Sequence, residues 1–334
     1  MSTAARMVLP APGILLAHKP RGATSFSLVR AVQDALRDAQ AEPLPVCHGG
    51  ALDPFAEGLL LLLVGPATRL MEELHPIPKY YEAELSWGAE TDTCDAGGRP
   101  VFTGDARALT AALLEEKLAA QQGWQEQVPP ATSNKRVEGE RAWKRAHRGE
   151  QVLLPPSRVY LHEARFLAHD LPRSSRLSLS CRGGYYVRAL ARDLGRALGC
   201  GAHLTSLSRT HIGPWSDPGP ALSAAASASR GTEASELPNL QLSKLPICGP
   251  DLLPWLPSRL LTEQEASAVE LRRAIPRGEI VPAPFALPSG FPGPGADARD
   301  RTAPIRGLCD GKLRVLLRER GADLALHTDL DGGV

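Results

Sequence analysis

Six consecutive apolar residues, Leu59 to Val64, most constrain what this chain can fold into. The run is far too short to span a bilayer and well suited to a buried element. Directly before it stands His48-Gly49-Gly50-Ala51-Leu52-Asp53-Pro54-Phe55-Ala56-Glu57-Gly58, a stretch rich in residues that set unusual backbone. Gly49, Gly50 and Gly58 permit angles that other residues resist, while Pro54 fixes its own φ and pushes Asp53 toward extended backbone. A lone carboxylate is thus carried on a stiff loop, next to solvent and backed by core, where a reactive acid would be placed. The plainer reading is that Asp53 caps the element that follows, with Pro54 at its first position.

A chain of 334 residues is comfortable for two domains and has ample material for a core. Its net charge of +1 makes it nearly neutral, so a surface for a polyanion has to come from local clustering. The clearest cluster runs from Leu171 to Trp215, where seven arginines meet one acid, Asp193. A second lies between Ser133 and Arg148, where Lys135, Arg136, Arg141, Lys144, Arg145 and Arg148 face Glu138 and Glu140. Either could be no more than a solvated face. The six cysteines are dispersed without a Cys-x-x-Cys pair, which argues against zinc and against a disulfide framework. Met1 to Pro12 lacks the apolar core of a signal peptide and no stretch reaches membrane-spanning length, so a reduced, cytoplasmic protein is expected.

Along the chain, Gly13 to Ala17 reads as a strand that runs into the turn His18-Lys19-Pro20-Arg21-Gly22. Thr24 and Ser25 are natural caps for a helix over 26–39, with Leu28, Val29, Val32 and Leu36 at helical spacing. Lys79 to Gly88 reads as a strand, and Asp92 to Gly98 as a polar turn closing a hairpin. The carboxylates of that turn lack the spacing and remaining ligands of a calcium loop. A helix is expected over 108–122, after which Gln127-Val128-Pro129-Pro130 breaks the pattern. Another is expected from Val187 to Leu198, preceded by a strand over 177–181 and stopped by Gly199 and Gly201. Residues 217–237 are rich in Ala, Ser, Gly and Pro and read as a linker. The tail is expected to hold a helix over 263–274, a Pro/Gly-rich loop over 282–304 and a strand over 312–317.

The stretch around Asp53 resembles the signature of TruB-type pseudouridine synthases, a histidine followed by Thr-Gly-Thr-Leu-Asp-Pro, from which this chain departs in the residues ahead of Leu52-Asp53-Pro54. Four further segments match the family in order: Lys19 to Ser25, Lys79 to Gly98, Val128 to Gly149 and Ser180 to Pro214. The resemblance implies an α+β pseudouridine-synthase fold, a central mixed, largely antiparallel sheet flanked by helices, with a small C-terminal PUA-like β domain. Its implied division is a catalytic domain over 12–215 with a thumb loop at about 124–152, a linker over 216–245 and an RNA-binding domain over 246–334.

On the same resemblance Asp53 is the catalytic aspartate, and His48 takes the place vacated by the target base. Tyr81 stacks on the base or also serves in proton transfer, and Tyr186 and Arg188 match the family's Tyr-x-Arg, with Arg188 expected to pair with Asp53. Leu207 lines the pocket, Lys19 supports the catalytic loop, and Arg141 and Lys144 belong to the thumb that closes on RNA. Thr132-Ser133-Asn134 stands where the family usually has Tyr-Ser-Ala. The implied reaction isomerises uridine 55 in the T-loop of tRNA to pseudouridine. It needs no cofactor and no metal, and the expected state is a monomer with a tRNA T-arm as partner and no membrane. An aspartate, with a reference pKa of roughly 3.9, is already ionised at neutral pH, whether it attacks the sugar or assists departure of the base. Two other readings stand beside this one. One is a guide-RNA-dependent synthase that works inside a protein complex, and the other is a non-catalytic RNA chaperone on the same fold.

Overall fold

A computed structural model describes residues 12–38, 43–220, 246–297 and 302–334. The chain divides into two compact units, one formed by Met1–Ile77 with Gly213–Val334 and the other by Pro78–Ile212. Most of the expected linker and the extreme N-terminus lie outside the described residues.

In the first unit, β1 (Gly13–Lys19) and β2 (Val46–His48) both pair antiparallel with β3 (Glu57–Val64). Within this unit the apolar run is therefore the strand on which both β1 and β2 pair. All six of its residues are completely buried, Leu60, Leu62 and Val64 against helix α1 (Ser25–Asp38). Burial on both faces explains why the run does not alternate. Gly49 follows β2 at a close approach: a Cβ there would sit 2.7 Å from Leu74 Cδ1 and 3.2 Å from Leu61 Cβ. Leu74 ends the 3-10 helix Gly65–Leu74 that leaves β3.

The second unit is built on β4 (Lys79–Trp87), which is followed by the hairpin β5 (Ala89–Thr91) and β6 (Pro100–Thr103). Helix α2 (Ala111–Ala119) leads to β7 (Gly123–Gln127). Next come the small hairpin β8 (Arg136–Val137) and β9 (Glu140–Arg141) with helix α3 (Ala142–His147). Then follow β10 (Ser157–Asp170), β11 (Ser174–Cys181), helix α4 (Val187–Ala197) and β12 (Ala202–Ile212). Within this unit the strand order is β12-β4-β11-β10-β7, every neighbour antiparallel.

Returning to the first unit, the short β13 (Trp215–Ser216) precedes the C-terminal part of the chain. There β14 (Ser258–Leu260), helix α5 (Glu263–Glu270), β15 (Ile275–Pro276), β16 (Ile305–Cys309), β17 (Lys312–Arg320) and β18 (Asp323–Asp329) make one layer and its cover. The sheet order is β14-β16-β17-β18-β15, parallel only at β14–β16. Thr262 and Glu265 form a capping box that starts α5, and a core of Leu261, Val269, Val315, Leu317 and Leu324 fills the space beneath. This is the small PUA-like β domain, and the α+β class holds. It is tied to the N-terminal strands by paired backbone bonds between Ile14 and Ile247 (2.8 and 2.9 Å), and by Arg69, which binds Asp331 and the carbonyl of Asp329 (both 2.6 Å).

Several boundaries differ from the sequence reading. Helix α2 spans Ala111–Ala119 rather than 108–122, because Thr110 caps it by accepting from Leu113 N and residues 120–122 turn into β7. Helix α5 stops at Glu270, where the chain turns through Arg272 at φ +60° toward β15. No element follows Asp53 for it to cap as a helix: Asp53 O accepts from Ala56 N in a turn that enters β3.

Candidate active site

In the first unit Asp53 is half-buried on the loop between β2 and β3, and that loop is clamped on both sides of it. On the N-terminal side, Leu52 N–H donates to Ser25 Oγ at 2.8 Å, and the same hydroxyl donates back to Leu52 O at 3.1 Å. Ser25 is therefore not the helix cap that its position suggests. Thr24 does that, its Oγ1 accepting from Ser27 N at 3.0 Å, which frees Ser25 to point into the loop. On the C-terminal side, Pro54 O accepts from Gly22 N at 2.7 Å and from Lys19 Nζ at 3.4 Å. Lys19 is completely buried at the end of β1, and its ammonium also donates to Ala23 O (2.7 Å) and Pro20 O (3.1 Å). A buried ammonium needs such carbonyls, and in meeting its need they hold the 19–23 turn against Pro54. Gly22, at φ +90°, lets that turn close. His48, half-buried, ends β2 opposite Leu62 of β3.

The remaining predicted site residues lie in the second unit. Tyr81, half-buried, stands in the middle of β4, opposite Leu179 of β11 and Arg209 of β12. Leu207 is buried on β12 opposite Ala83. Tyr186 precedes α4, and its backbone is gripped by the buried Gln127 side chain, whose Oε1 accepts from Tyr186 N (2.9 Å) and whose Nε2 donates to Tyr186 O (3.1 Å). Within this unit the buried Arg188 guanidinium donates through Nη1 to Thr93 O (2.9 Å), Thr132 Oγ1 (2.7 Å) and Asp95 Oδ2 (3.4 Å). Its Nη2 donates to Thr132 O at 3.4 Å. Asp95 is in turn set by Thr93 Oγ1 (2.8 Å) and Gly97 N (2.9 Å), so the polar turn expected at Asp92–Gly98 serves as an acceptor for Arg188.

Counting charges along the sequence overstated the footprint between Leu171 and Trp215. The seven arginines do find partners, mostly acids outside that window: Arg173 binds Asp170 (3.0 Å), Arg176 binds Glu82 (3.6 Å) and Arg196 binds Glu90 (2.6 Å). Arg192 binds Asp193 (2.8 Å) and the carbonyl of Val128 (2.9 Å), while Arg182 and Arg209 are buried. Most of this excess neutralises the unit's own carboxylates or is enclosed, and is no open cationic stripe. In the segment read as the thumb, Arg141 and Lys144 are exposed.

Sequence reasoning missed three residues. Ser25 was read as a cap and Gln127 as part of a breaking segment. Lys79, two residues before Tyr81 on the same buried face of β4, is the third. Burial pushes the Lys79 ammonium down to about 7, helped by the nearby Arg209 and Arg182 and opposed by Cys181. Its cross-strand neighbour Cys181 is pushed by burial to about 12, with Lys79 and Arg209 opposing. Its only sequence signal was a lysine at an inward position of an alternating strand.

Among the described residues one group brings possible metal ligands within 4.8 Å of one another, Glu263, Cys309 and Asp310 in the C-terminal sheet. Arg314 Nη1 stands 3.4 Å from Glu263 Oε1, so that carboxylate already faces a cation. All six cysteines are free, and no helix among the described residues is long and apolar enough to cross a membrane.

The sequence matches the family model for TruB family pseudouridylate synthase (N terminal domain) over residues 40–187. The model for the tRNA pseudouridylate synthase B C-terminal domain matches over 188–229. A relative named tRNA pseudouridine synthase B, from Arthrobacter sp. (strain FB24), is 34% identical over 319 residues, covering 92% of this chain and 93% of its own. One of the same name from Aromatoleum aromaticum is 41% identical over 203 residues, 61% of this chain and 64% of its own. Among solved structures, a chain of a Cbf5-Nop10-Gar1 complex superposes with a TM-score of 0.59 at 19% identity, covering 95% of this chain and 84% of that one, a likeness of fold.

Proposed function

The chain belongs to the TruB family of pseudouridylate synthases, and on that footing we propose that Asp53 is its catalytic residue, acting on uridine 55 in the T-arm of tRNA. As a member of this family the protein is an isomerase, a tRNA pseudouridine synthase. The observation that carries the residue assignment is the two-sided clamp. Leu52 and Pro54 are each fixed by a buried polar group, so the carboxylate between them is held at a set position while remaining accessible. Such fixing is what a group must have if it is to meet one carbon of one sugar.

The reaction breaks the N-glycosidic bond of the uridine, turns the uracil and rejoins it to the ribose through carbon 5. Asp53 serves either as nucleophile toward the sugar or as the base that assists elimination. The uridine must first leave its stack, which costs a few kcal/mol. A base stacked on Tyr81 recovers about 1–3 kcal/mol of that. His48 suits the place the base leaves, Tyr186 and Leu207 supply further substrate contacts, and Arg188 is a positioning residue. Lys19 holds the Asp53 loop, and Arg141 and Lys144 meet RNA phosphates. The protein is read as a cytoplasmic monomer. Relatives named tRNA pseudouridine synthase B at 34–41% identity favour this reading over a guide-RNA-dependent one.

The test is purified protein with unmodified tRNA transcript, followed by mapping of pseudouridine. Wild type is expected to modify position 55 alone in the T-loop. Asp53→Asn keeps the volume and removes the charge, so it is expected to abolish isomerisation while leaving tRNA affinity within a few fold. Near-wild-type activity in that variant would remove Asp53 from the chemistry.

A further inference from the structure

The thumb sorts its charges into two sets. Arg145 binds Glu138 (2.8 Å) and Glu150 (2.7 Å), and Arg148 binds Glu140 and Glu150 (both 2.7 Å). Those three glutamates are the only acids between Ser133 and Glu150, so two arginines consume every carboxylate the segment has. The guanidiniums hold the Glu140 and Glu150 carboxyls below the usual range, Arg148 acting first on Glu140 and Arg145 on Glu150. The other four cations meet no acid among the described residues. Lys135 donates to Ser157 Oγ, Arg136 to Gly139 O and Arg141 to Asn134 O, and Lys144 points over an aromatic ring. All four are exposed.

That ring is Trp143, and it is 37% exposed. Its backbone is fixed, because Trp143 N donates to Ser133 O (3.1 Å) and the buried Ala142 beside it donates to Lys135 O (2.8 Å). Lys144 Nζ lies 5.7 Å from the ring centroid, and the His147 ring stands edge-on at 5.8 Å with its Nδ1 2.7 Å from Trp143 O. A large indole is thus displayed on a hairpin whose surplus charge is entirely positive. Exposing a tryptophan forfeits the burial that usually justifies one, and the cations beside it would repel a cationic partner. Flat π-faces joined to phosphates are the chemistry that both features fit together.

We propose that Trp143 stacks on an unpaired base of the RNA outside the target uridine, with Lys144 and Arg141 on the flanking phosphates. The inference rests on the reading of the chain as a tRNA-modifying enzyme and adds a named contact to it. The segment's ion pairs then make a scaffold that presents the ring, and its unpaired cations and the ring make the contact surface.

The experiment uses the full chain and unmodified tRNA transcript, with Trp143→Leu, Trp143→Phe and Lys144→Ala. Losing a base–aromatic stack is expected to weaken tRNA binding at least about five-fold in Trp143→Leu, with the salt dependence unchanged because no charge is lost. Trp143→Phe, which keeps a π-face, is expected to hold most of the affinity. Lys144→Ala is expected to make the log–log salt slope shallower by about one. Independently of how well a variant folds, titrating RNA into wild type is expected to quench an indole signal that is missing from Trp143→Phe. Equal binding by wild type and Trp143→Leu, or quenching identical with and without Trp143, overturns the proposal. So does a wild-type dimer that Trp143→Leu dissociates, which would assign the ring to a second copy. Wild type that neither binds nor converts the transcript refutes the functional reading instead, which separates the two failures.

Discussion

Ser25→Ala removes a single oxygen and tests whether the Asp53 loop is held or merely placed. The hydroxyl makes two bonds to one residue, accepting from Leu52 N at 2.8 Å and donating to Leu52 O at 3.1 Å, and both residues are buried. A hydrogen bond contributes about 1 kcal/mol net, but a buried donor left without its partner costs about 1–3 kcal/mol. Losing the hydroxyl leaves Leu52 N in that state, so about 2–3 kcal/mol of local stabilisation is expected to go, one residue from the carboxylate. The helix should survive, since its cap is Thr24. The expected phenotype is therefore selective. Single-turnover pseudouridine formation at saturating tRNA falls by about ten-fold or more, as a displaced carboxylate would produce. The tRNA Kd stays within about two-fold, because affinity comes from contacts elsewhere. Ser25→Thr, which keeps the hydroxyl, is expected to recover part of the rate. A Ser25→Ala enzyme with wild-type turnover would show that the loop holds itself and that the clamp is incidental.

Two further outcomes follow from the second unit. Tyr81→Phe keeps a stacking ring and loses the hydroxyl, while Tyr81→Leu loses both; activity in Phe with loss in Leu marks stacking, loss in both marks the hydroxyl, and equal activity in all three removes Tyr81 from the site. Lys79, lowered from 10.5 to about 7, is a base whose protonation the fold disfavours. Its penalty is fully present below pH 7 and is relieved as pH rises from about 7 toward 10.5, where the unfolded chain alone still holds the proton. At about 1.4 kcal/mol per unit of pH, that penalty is on the order of several kcal/mol. Lys79→Met is therefore expected to be more stable to urea than wild type at pH 6, with the difference shrinking toward pH 10. A constant difference across that range would place the proton elsewhere.

How much was legible in the sequence follows from the range of the interactions involved. The apolar run became β3, the stripe at Leu28, Val29, Val32 and Leu36 became the buried face of α1, and Lys19 took its place behind the Asp53 loop. Each depends on local pattern or on an ordered motif. Ser25 was legible as a polar residue at a helix start but not as a strut, because two adjacent hydroxyls compete for one cap and only the structure shows that Thr24 wins. Gln127 belongs to the same class, since a side chain that satisfies both backbone groups of a residue 59 positions away leaves no periodic trace. The arginine count misled for a related reason. Arg173, Arg176 and Arg196 sit within the counted window, while Asp170, Glu82 and Glu90 do not. A window measures charge along the chain, whereas screening and pairing act across it.

The same logic accounts for Thr132. The family usually has tyrosine there, and the substitution looks severe on paper. Yet what Arg188 takes from the residue is a hydroxyl oxygen at 2.7 Å and a carbonyl at 3.4 Å, and threonine offers both on a shorter arm. On its other side the guanidinium holds Thr93 O and Asp95. One buried cation therefore joins the polar turn after β5, the segment that opens the thumb and the first turn of α4. Gln127 adds a second tie between the end of β7 and Tyr186. A buried cation with several oxygen acceptors resists displacement, because breaking any one bond leaves charge unsatisfied in a dry place. The base of the thumb and the start of α4, which carry Tyr186 and Arg188, are thereby fixed to one another. If Arg141, Trp143 and Lys144 make the contact proposed above, they make it from an anchored base.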